Sequence, residues 1–416
     1  MVVLAAYWSM PGSGEFRPSL ASIGETYYVT TELLMTKIKV LTIFGTRPEA
    51  IKMMPVVKEL ERFPDSFESV ICVTAQQRGM LDQMLNLFGI VPHFDLDIMK
   101  SNQDLFDITC NALLGLKAVL GEVKPDIILL HGDTSTTLAA ALAAYYCKIK
   151  VGHIEAGLRT HNIYSPYPEE MNRKLTAGLA DLHFSPTETA RQNLLREGVP
   201  YDNIFVTGNT VIDSLHIAIE MIKSNNEIIT KLDKKYSFLD IEKKLILVTG
   251  HRRENLGEGL ENVCLALRDI AQQVPGIQIL YPVHLNPKVQ EPATRLLHGE
   301  KNIFLIEPVD YVSFVYLMNR AFLIITDSGG IQEEAPALGK PVLVMRNDTE
   351  RPEAVQAGTV KLVGTDRQTI VHEAMRLIDD HCAYRAMATA RNPYGDGTAA
   401  HRIVSQLKSC LSIGNQ

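Results

Sequence analysis

Paired cysteines are missing from this sequence: the six it has (Cys72, Cys110, Cys147, Cys264, Cys382 and Cys410) are scattered, with no Cys-x-x-Cys spacing. Their spacing argues against a thiolate zinc site and favours a reducing compartment over a disulfide-stapled secreted fold. Long apolar runs are missing as well. None approaches the roughly 20 residues a bilayer-spanning helix needs, so no membrane is expected as a partner. There is no excess of positive charge either: 41 Lys and Arg stand against 48 Asp and Glu, a formal net charge of -7. Nucleic acid is therefore not an expected partner, and an anionic ligand must be held by a few local basic groups and backbone donors. No Gly-Lys-Ser/Thr loop, no helix-opening Gly-x-Gly-x-x-Gly after the first strand, no His-Glu-x-x-His and no fixed-period repeat occurs.

What is present is the make-up of a globular enzyme: 416 residues, 46% hydrophobic and 21% charged. That length exceeds one ordinary core, so two domains are expected. Residues 1–34 begin apolar but lack a basic n-region and run into Pro11-Gly12-Ser13-Gly14; they read as an extension, expected to be poorly ordered, and not as a signal peptide. From Lys37 onward short β-branched runs alternate with helical stretches, which predicts an α/β fold with parallel sheets. Strands are expected over 39–44, 69–74, 126–130, 150–154 and 182–184, then over 245–249, 278–283, 303–306, 322–326, 341–345 and 359–362. Between the two sets a boundary near 208–211 is expected, followed by a surface helix and loop.

In open parallel sheets ligands bind beyond the carboxyl ends of the strands. The residues there are chemically capable in loop after loop: Gly45-Thr46-Arg47-Pro48-Glu49, Gln76-Gln77-Arg78, His131-Gly132-Asp133, Glu155-Ala156-Gly157, Gly250-His251-Arg252, His284-Leu285-Asn286 and Asp327-Ser328-Gly329-Gly330. Pro48 and Glu49 suit the first turn of a helix, which fixes Arg47 at its start and sets Lys52 about one turn on, both placed to neutralise a phosphate. Ser328, Gly329 and Gly330 open a second helix with glycines that let backbone N–H groups approach an anion, and Glu334 falls one turn later, within reach of a ribose diol. Arg-Pro-Glu-Ala at 47–50 recurs at 351–354, giving Arg351 a similar setting. Asp133, Glu155 and Glu169 form a carboxylate set suited to acid and base roles. His153 and Glu155, two residues apart, are expected on one strand face. A metal held by His131, His153 and His251 is the competing reading, but the cysteine or histidine partners that known zinc motifs carry are absent, so neither metal nor cofactor is expected.

Taken in order, residues 44–52, 131–137, 151–160, 165–173, 249–254, 281–287, 326–336 and 350–359 resemble the motifs of non-hydrolysing UDP-N-acetylglucosamine 2-epimerases, a likeness running from about residue 35 to 402. The resemblance implies a GT-B fold: two Rossmann-like domains facing across a cleft. The first would cover 35–208 plus a C-terminal helix in 399–416 that crosses back, and the second, UDP-binding, 209–398. It implies UDP on the second domain, with Ser328, Gly329, Gly330 and Glu334 at phosphate and ribose, Phe314 near the uracil, and His251 and Arg351 at the diphosphate. Arg47 and Lys52 would reach across, while Asp133, Glu155 and Glu169 face the sugar beside Arg173. Catalysis is expected of Asp133, Glu155, Glu169 and His251. In some relatives Gln76, Arg252 and His284 hold a second, regulatory UDP-GlcNAc; here Gln77 and Gly79 depart from the usual pattern of that loop, and Val309 replaces a glutamine at the base.

The reaction so implied is reversible inversion at C2 of UDP-GlcNAc to UDP-ManNAc, in a cytoplasmic homodimer. A hydrolysing epimerase, a GT-B glycosyltransferase and a non-catalytic UDP-sugar sensor are the alternatives. A nicotinamide-dependent epimerase is disfavoured, because Tyr146 and Lys150 fall where helix gives way to strand.

Overall fold

The structure is a computed structural model that describes residues 37–76, 78–100 and 102–412. The extension expected over 1–34 lies outside the described residues, as do Gln77 and the last residues of the C-terminal segment. The first sheet contains β1 (Ile38–Phe44), β2 (Phe67–Val73), β3 (Phe94–Asp95), β4 (Ile127–His131), β5 (Lys150–Ile154), β6 (Leu182–Ser185) and β7 (Ile204–Val206). The second contains β8 (Lys244–Thr249), β9 (Ile277–Pro282), β10 (Ile303–Ile306), β11 (Leu323–Thr326), β12 (Val342–Val344) and β13 (Val360–Leu362). Their orders are β3-β2-β1-β4-β5-β6-β7 and β10-β9-β8-β11-β12-β13, with every pairing parallel.

The apolar runs form strands because helices cover both faces of each sheet. In β4, Ile127 and Leu129 pack into one core while Ile128 and Leu130 pack into another. β8 divides in the same way, Leu245 and Leu247 facing the inner core and Ile246 and Val248 the outer one. All eleven expected strands are present, within a residue or two at their ends. The two additional strands, β3 and β7, lie at the edges of the first sheet and are too short to carry a readable alternation.

One expectation is corrected. The helix at the boundary, Thr210–Ser224, is not a surface helix: Val211, Ile212, Leu215, Ala218 and Ile222 are buried along one stripe. It packs against the Arg47–Glu61, Tyr311–Arg320, Gly329–Ala337 and Ala399–Ser412 helices. Its apolar stripe has helical spacing, but it adjoins the Lys- and Asn-rich stretch that follows, which masks it in a composition reading. The surface character belongs to the next helix, Asn226–Lys235, where Leu232 is the buried residue.

The inner core runs continuously from Phe44 and Met53 through Leu215 and Ile331 to Ile403 and Leu407. Each such fully buried aliphatic side chain contributes roughly 1.5–3 kcal/mol, so the two sheets are held by shared apolar contact as well as by the chain crossings. The last helix, Ala399–Ser412, returns to the Arg47–Glu61 helix. Asp213 satisfies its first backbone donors, accepting from Ala399 N at 3.2 Å and Ala400 N at 2.9 Å. Asn209 N donates to Tyr394 O at 2.7 Å, so the outgoing and returning segments are fastened side by side.

Candidate active site

Strand order reverses between β1 and β4 in the first sheet and between β8 and β11 in the second. The loops leaving those four strands therefore diverge and leave a crevice, the usual place for a ligand in such sheets. After β1 the chain turns at Gly45, where an added Cβ would lie 2.0 Å from Thr74 Oγ1 and 2.8 Å from Thr136 Oγ1. Glu49, one turn into the Arg47–Glu61 helix, accepts from Thr46 N at 2.8 Å and Gly45 N at 3.1 Å. Its other oxygen takes Thr134 Oγ1 at 2.7 Å. Glu49 thus ties the β1 turn to the β4 turn, and leaves Arg47 and Lys52 to face the crevice.

That helix start separates two cavities: Arg47 and Ile51 line one, Thr46, Pro48, Glu49 and Lys52 the other. The first-sheet cavity, about 410 Å³, gathers Asp133, Glu155, Glu169, Arg173, His131 and Arg351. Glu155 lies just past the end of β5 in left-handed backbone (φ 64°). It therefore does not share a strand face with His153, contrary to the two-residue spacing argument, because the strand period ends at Ile154. Glu155 is ion-paired with Lys52, lies 3.6 Å from His131 Nε2, and accepts from Asn209 Nδ2 at 2.7 Å. Burial alone would raise its carboxyl, yet Lys52, His131 and Arg351 together hold it well below its ordinary 4.5. Burial likewise opposes the Lys52 charge, but Glu155 and Glu333 keep it above its usual value.

Asp133 is fixed from three sides. Arg173 donates to its carboxylate through Nε at 2.9 Å, and Arg173 Nη2 lies 2.7 Å from the same oxygen. Asn172 Nδ2 donates to its carbonyl at 2.8 Å, and His153 Nε2 meets the Gly132 carbonyl at 2.7 Å. Burial pushes His153 down to about 3, so the ring is neutral and Nε2–H is the donor. Its place is structural: it holds the turn that carries Asp133. Glu169 opens the Glu169–Leu179 helix, and its Oε2 is buried without a hydrogen-bond partner among the described residues.

The second-sheet cavity, about 380 Å³, is lined by Arg47, His251, His284, Phe314, Ser328 and Glu334 among others. Ser328 occupies the N-cap position of the Gly329–Ala337 helix without a side-chain cap hydrogen bond, and lines the cavity, so the positive end of that helix opens into it. At Gly329 a Cβ would stand 2.7 Å from Glu350 Oε1, so the backbone approach there admits no side chain without displacing Glu350. Asp327 organises the facing loop, accepting His251 N at 2.9 Å and Arg252 N at 2.8 Å. The His251 ring stacks on His284 at 5.5 Å between centroids. Burial, with His284 and Arg252 nearby, lowers His251 below its usual 6.5 despite Asp327. Glu334 is pushed up to about 8 by burial and by Glu333, with Oε2 unpartnered among the described residues.

The structure thus brings Arg47, His251, Phe314, Ser328 and Glu334 to one cavity, and Lys52, Asp133, Glu155, Glu169, Arg173 and Arg351 to the other. Gly329 and Gly330 form the first turn of the helix between Ser328 and Glu334. The three residues considered for a regulatory site fall on different loops. Gln76 lines the first-sheet cavity and His284 the second, while Arg252 pairs with Glu350 at 3.0 Å. Two residues the sequence reading did not single out are central. Glu333, fully buried, is ion-paired with Arg351, and Asn209 Nδ2 lies 2.6 Å from Glu333 Oε2. A signal existed for each, Glu333 beside Glu334 in the glycine-led motif and Asn209 as a helix-capping residue, but neither revealed that they meet.

Two parallel α/β sheets, each with its strand order reversing beside a cavity, are the layout of the GT-B class of fold. The comparisons narrow the class. The chain matches the family described as UDP-N-acetylglucosamine 2-epimerase over residues 58–408. It is 61% identical over 371 residues to the UDP-N-acetylglucosamine 2-epimerase of Escherichia coli K12, covering 89% of this chain and 98% of that one. The crystal structure of UDP-GlcNAc 2-epimerase from Neisseria meningitidis bound to UDP-GlcNAc superimposes with a TM-score of 0.83 at 53% identity, covering 89% of this chain and 100% of that one. The Methanocaldococcus jannaschii enzyme in complex with UDP-GlcNAc and UDP aligns with a TM-score of 0.74 at 32% identity, with coverage of 89% and 100%. The chain belongs to the UDP-N-acetylglucosamine 2-epimerase family.

Proposed function

We propose that this chain interconverts UDP-N-acetylglucosamine and UDP-N-acetylmannosamine by expelling UDP and adding it back. The C2 proton of the sugar is not adjacent to a ketone or ester carbonyl, so its simple removal leaves a poorly stabilised carbanion. Losing UDP from C1 as a carboxylate takes the C2 proton avoids this: the C2–H electrons form C1=C2, the C1–O bond breaks, and its electrons go to the β-phosphate oxygen. The intermediate is a 2-acetamidoglucal. In the return step a carboxylic acid protonates the opposite face of C2 and the β-phosphate oxygen bonds again to C1.

The observation that carries this reading is the junction of the two cavities at Arg47–Lys52, which sets a triad of carboxylates beside an anion site. The helix N-terminus at Ser328–Gly330, with Arg47, His251 and Arg351, stabilises the departing diphosphate. Glu334 takes the ribose hydroxyls and Phe314 packs near the base. Asp133, Glu155 and Glu169 supply acid and base on the two faces of C2. Glu155, held ionised by Lys52, has the unprotonated carboxylate that a base requires.

We place the enzyme in the cytoplasm and read it as a homodimer. Six unpaired cysteines fit a reducing compartment, and no helix among the described residues is long and apolar enough to cross a membrane. The decisive experiment is an NMR time course of UDP-GlcNAc in D₂O. Deuterium entering C2 in both epimers, with UDP staying esterified over many turnovers, is expected. Steady accumulation of free UDP would convert the reading to a hydrolysing epimerase, and no exchange without an added acceptor would convert it to a transferase.

A further inference from the structure

We infer that Asn209 and Glu333 are positioning residues that join the acid/base carboxylate of the first sheet to the diphosphate grip of the second. The inference rests on Glu155 acting as a base, as proposed above. Asn209 Nδ2 lies 2.7 Å from Glu155 Oε2 and 2.6 Å from Glu333 Oε2, so the two hydrogens of one amide have two carboxylates to serve. Glu333 in turn holds Arg351, which lines the cavity that Glu155 faces. The chain Glu155–Asn209–Glu333–Arg351 therefore runs between the two halves without a break.

The geometry of Asn209 leaves it no freedom to play a looser part. It is 2% exposed. Its Oδ1 accepts from Val211 N at 3.2 Å, capping the Thr210–Ser224 helix, and its backbone N–H is taken by Tyr394 O at 2.7 Å. Every polar group of the side chain is thus engaged, and the residue sits where the chain passes from one half to the other. A carboxamide supplies an accepting oxygen and two amide hydrogens at once, and asparagine is the carboxamide short enough to be favoured at a helix cap. An aspartate here would set a third carboxylate between two others, and a serine would cap the helix but donate to one of them at most.

The charged and titratable groups around Glu155 are Lys52 from the Arg47–Glu61 helix, His131 from β4, Arg351 before the Pro352–Gln356 helix, and Glu333 across the Asn209 amide. Three favour its anion and one opposes it. The Asn209 amide offsets that opposition, because it stands between the two carboxylates and donates to both.

The test uses Asn209→Ser and Asn209→Asp, both of which keep a helix cap, together with Glu333→Gln. Solvent exchange at C2 is followed against pH, and UDP binding is measured by calorimetry. For Asn209→Ser a fall in kcat of about tenfold is expected, the size of a lost hydrogen bond to a charged group. UDP affinity is expected to stay within about threefold, since the Arg351–Glu333 pair is left intact. The acidic limb of kcat is expected to move up by about one pH unit, the shift matching a tenfold weaker hold on the carboxylate. Asn209→Asp should move it further in the same direction. Glu333→Gln frees Arg351 from its competing carboxylate and should tighten UDP binding by about tenfold; with one negative charge fewer across the Asn209 amide from Glu155, its acidic limb should move down. A merely structural role would lower activity at all pH values alike, so an unshifted acidic limb in whichever of these variants fold overturns the inference. Glu155→Gln separates the two layers. Wild-type exchange in that variant removes Glu155 as base, whereas a loss there with unshifted Asn209 variants removes the Asn209 link alone.

Discussion

Replacing Lys52 with methionine tests how far the Lys52–Glu155 pair holds the site together. Lys52 is 13% exposed in its side chain and Glu155 8%, so the pair is screened little by water. Removing one partner of a buried pair costs about 3–5 kcal/mol, because the other charge is left unmatched. Glu155 would keep His131 at 3.6 Å and the Asn209 amide at 2.7 Å, which places the expected loss toward 3 kcal/mol in that range. Glu155→Gln alone strands the ammonium and should also destabilise. The double variant Lys52→Met, Glu155→Gln removes both charges, and its loss should be smaller than the sum of the single losses by at least about 2 kcal/mol. Urea unfolding of the four proteins at neutral pH measures this. A pH series adds a second reading. Folding lowers the Glu155 carboxyl well below 4.5, so the stability it contributes is present above pH 4.5 and is lost as pH falls through its folded value. Lys52→Met should flatten that acid-side loss. Single losses that add to the double loss within about 0.5 kcal/mol would refute the account of the pair.

Three further outcomes follow from single groups. Folding raises the Glu334 carboxyl from 4.5 to about 8, so the native chain holds a proton the unfolded chain has released, and stability should fall as pH climbs through that window. Melting temperatures at pH 6.5 to 8.5 should show this fall in the wild type and not in Glu334→Gln, and calorimetry in two buffers at neutral pH should show a proton released when UDP binds. Asp213→Ala leaves the first two donors of the Ala399–Ser412 helix unmet and should cost about 1–2 kcal/mol in urea unfolding, with little effect on UDP affinity. Arg47 has a buried Nε without a partner among the described residues, so a diphosphate displaces no ion pair there; Arg47→Met should weaken UDP binding at least tenfold, a loss that unchanged affinity in calorimetry would contradict.

The sequence shows the strands well because their apolar runs are physically forced: β4 and β8 are covered on both faces and admit little else. It shows the loops well because strand ends in such sheets converge by topology, so Asp133, Glu155, His251 and Ser328 stand out as candidates by their place after a strand. What it hides are relations between distant segments. The stripe Val211–Ile212–Leu215 is visible as a helix, but only packing against Arg47–Glu61 and Gly329–Ala337 shows that the helix is interior. Asn209 reads as an ordinary cap, and Glu333 as the neighbour of a ribose ligand. Their meeting depends on a contact spanning 124 residues, which no local period encodes. His153 misled for the opposite reason: a two-residue spacing implies a shared face only while the strand continues, and here it stops one residue short of Glu155.

The arrangement of charge also bears on the proposed route, in which UDP leaves C1 and returns. Lys52 is paired with Glu155, Arg351 with Glu333 and Arg252 with Glu350. A diphosphate entering beside them exchanges one anionic partner for another, so the net gain is a difference between two similar interactions, far smaller than the attraction of an unmatched cation. Such a site discriminates by how much charge the phosphate carries. On the elimination route proposed above, the β-phosphate gains a full negative charge as the C1–O bond breaks, and would then compete better for Arg351 and Lys52 than the intact ester. Stabilisation is therefore concentrated on the separated state, which is the condition for speeding cleavage without merely binding the substrate more tightly. The carboxylates that would give up those cations include Glu155, so with Glu155 as the proposed base the pull of the departing UDP and the proton affinity of that base would rise together, and both would fall when the C1–O bond re-forms.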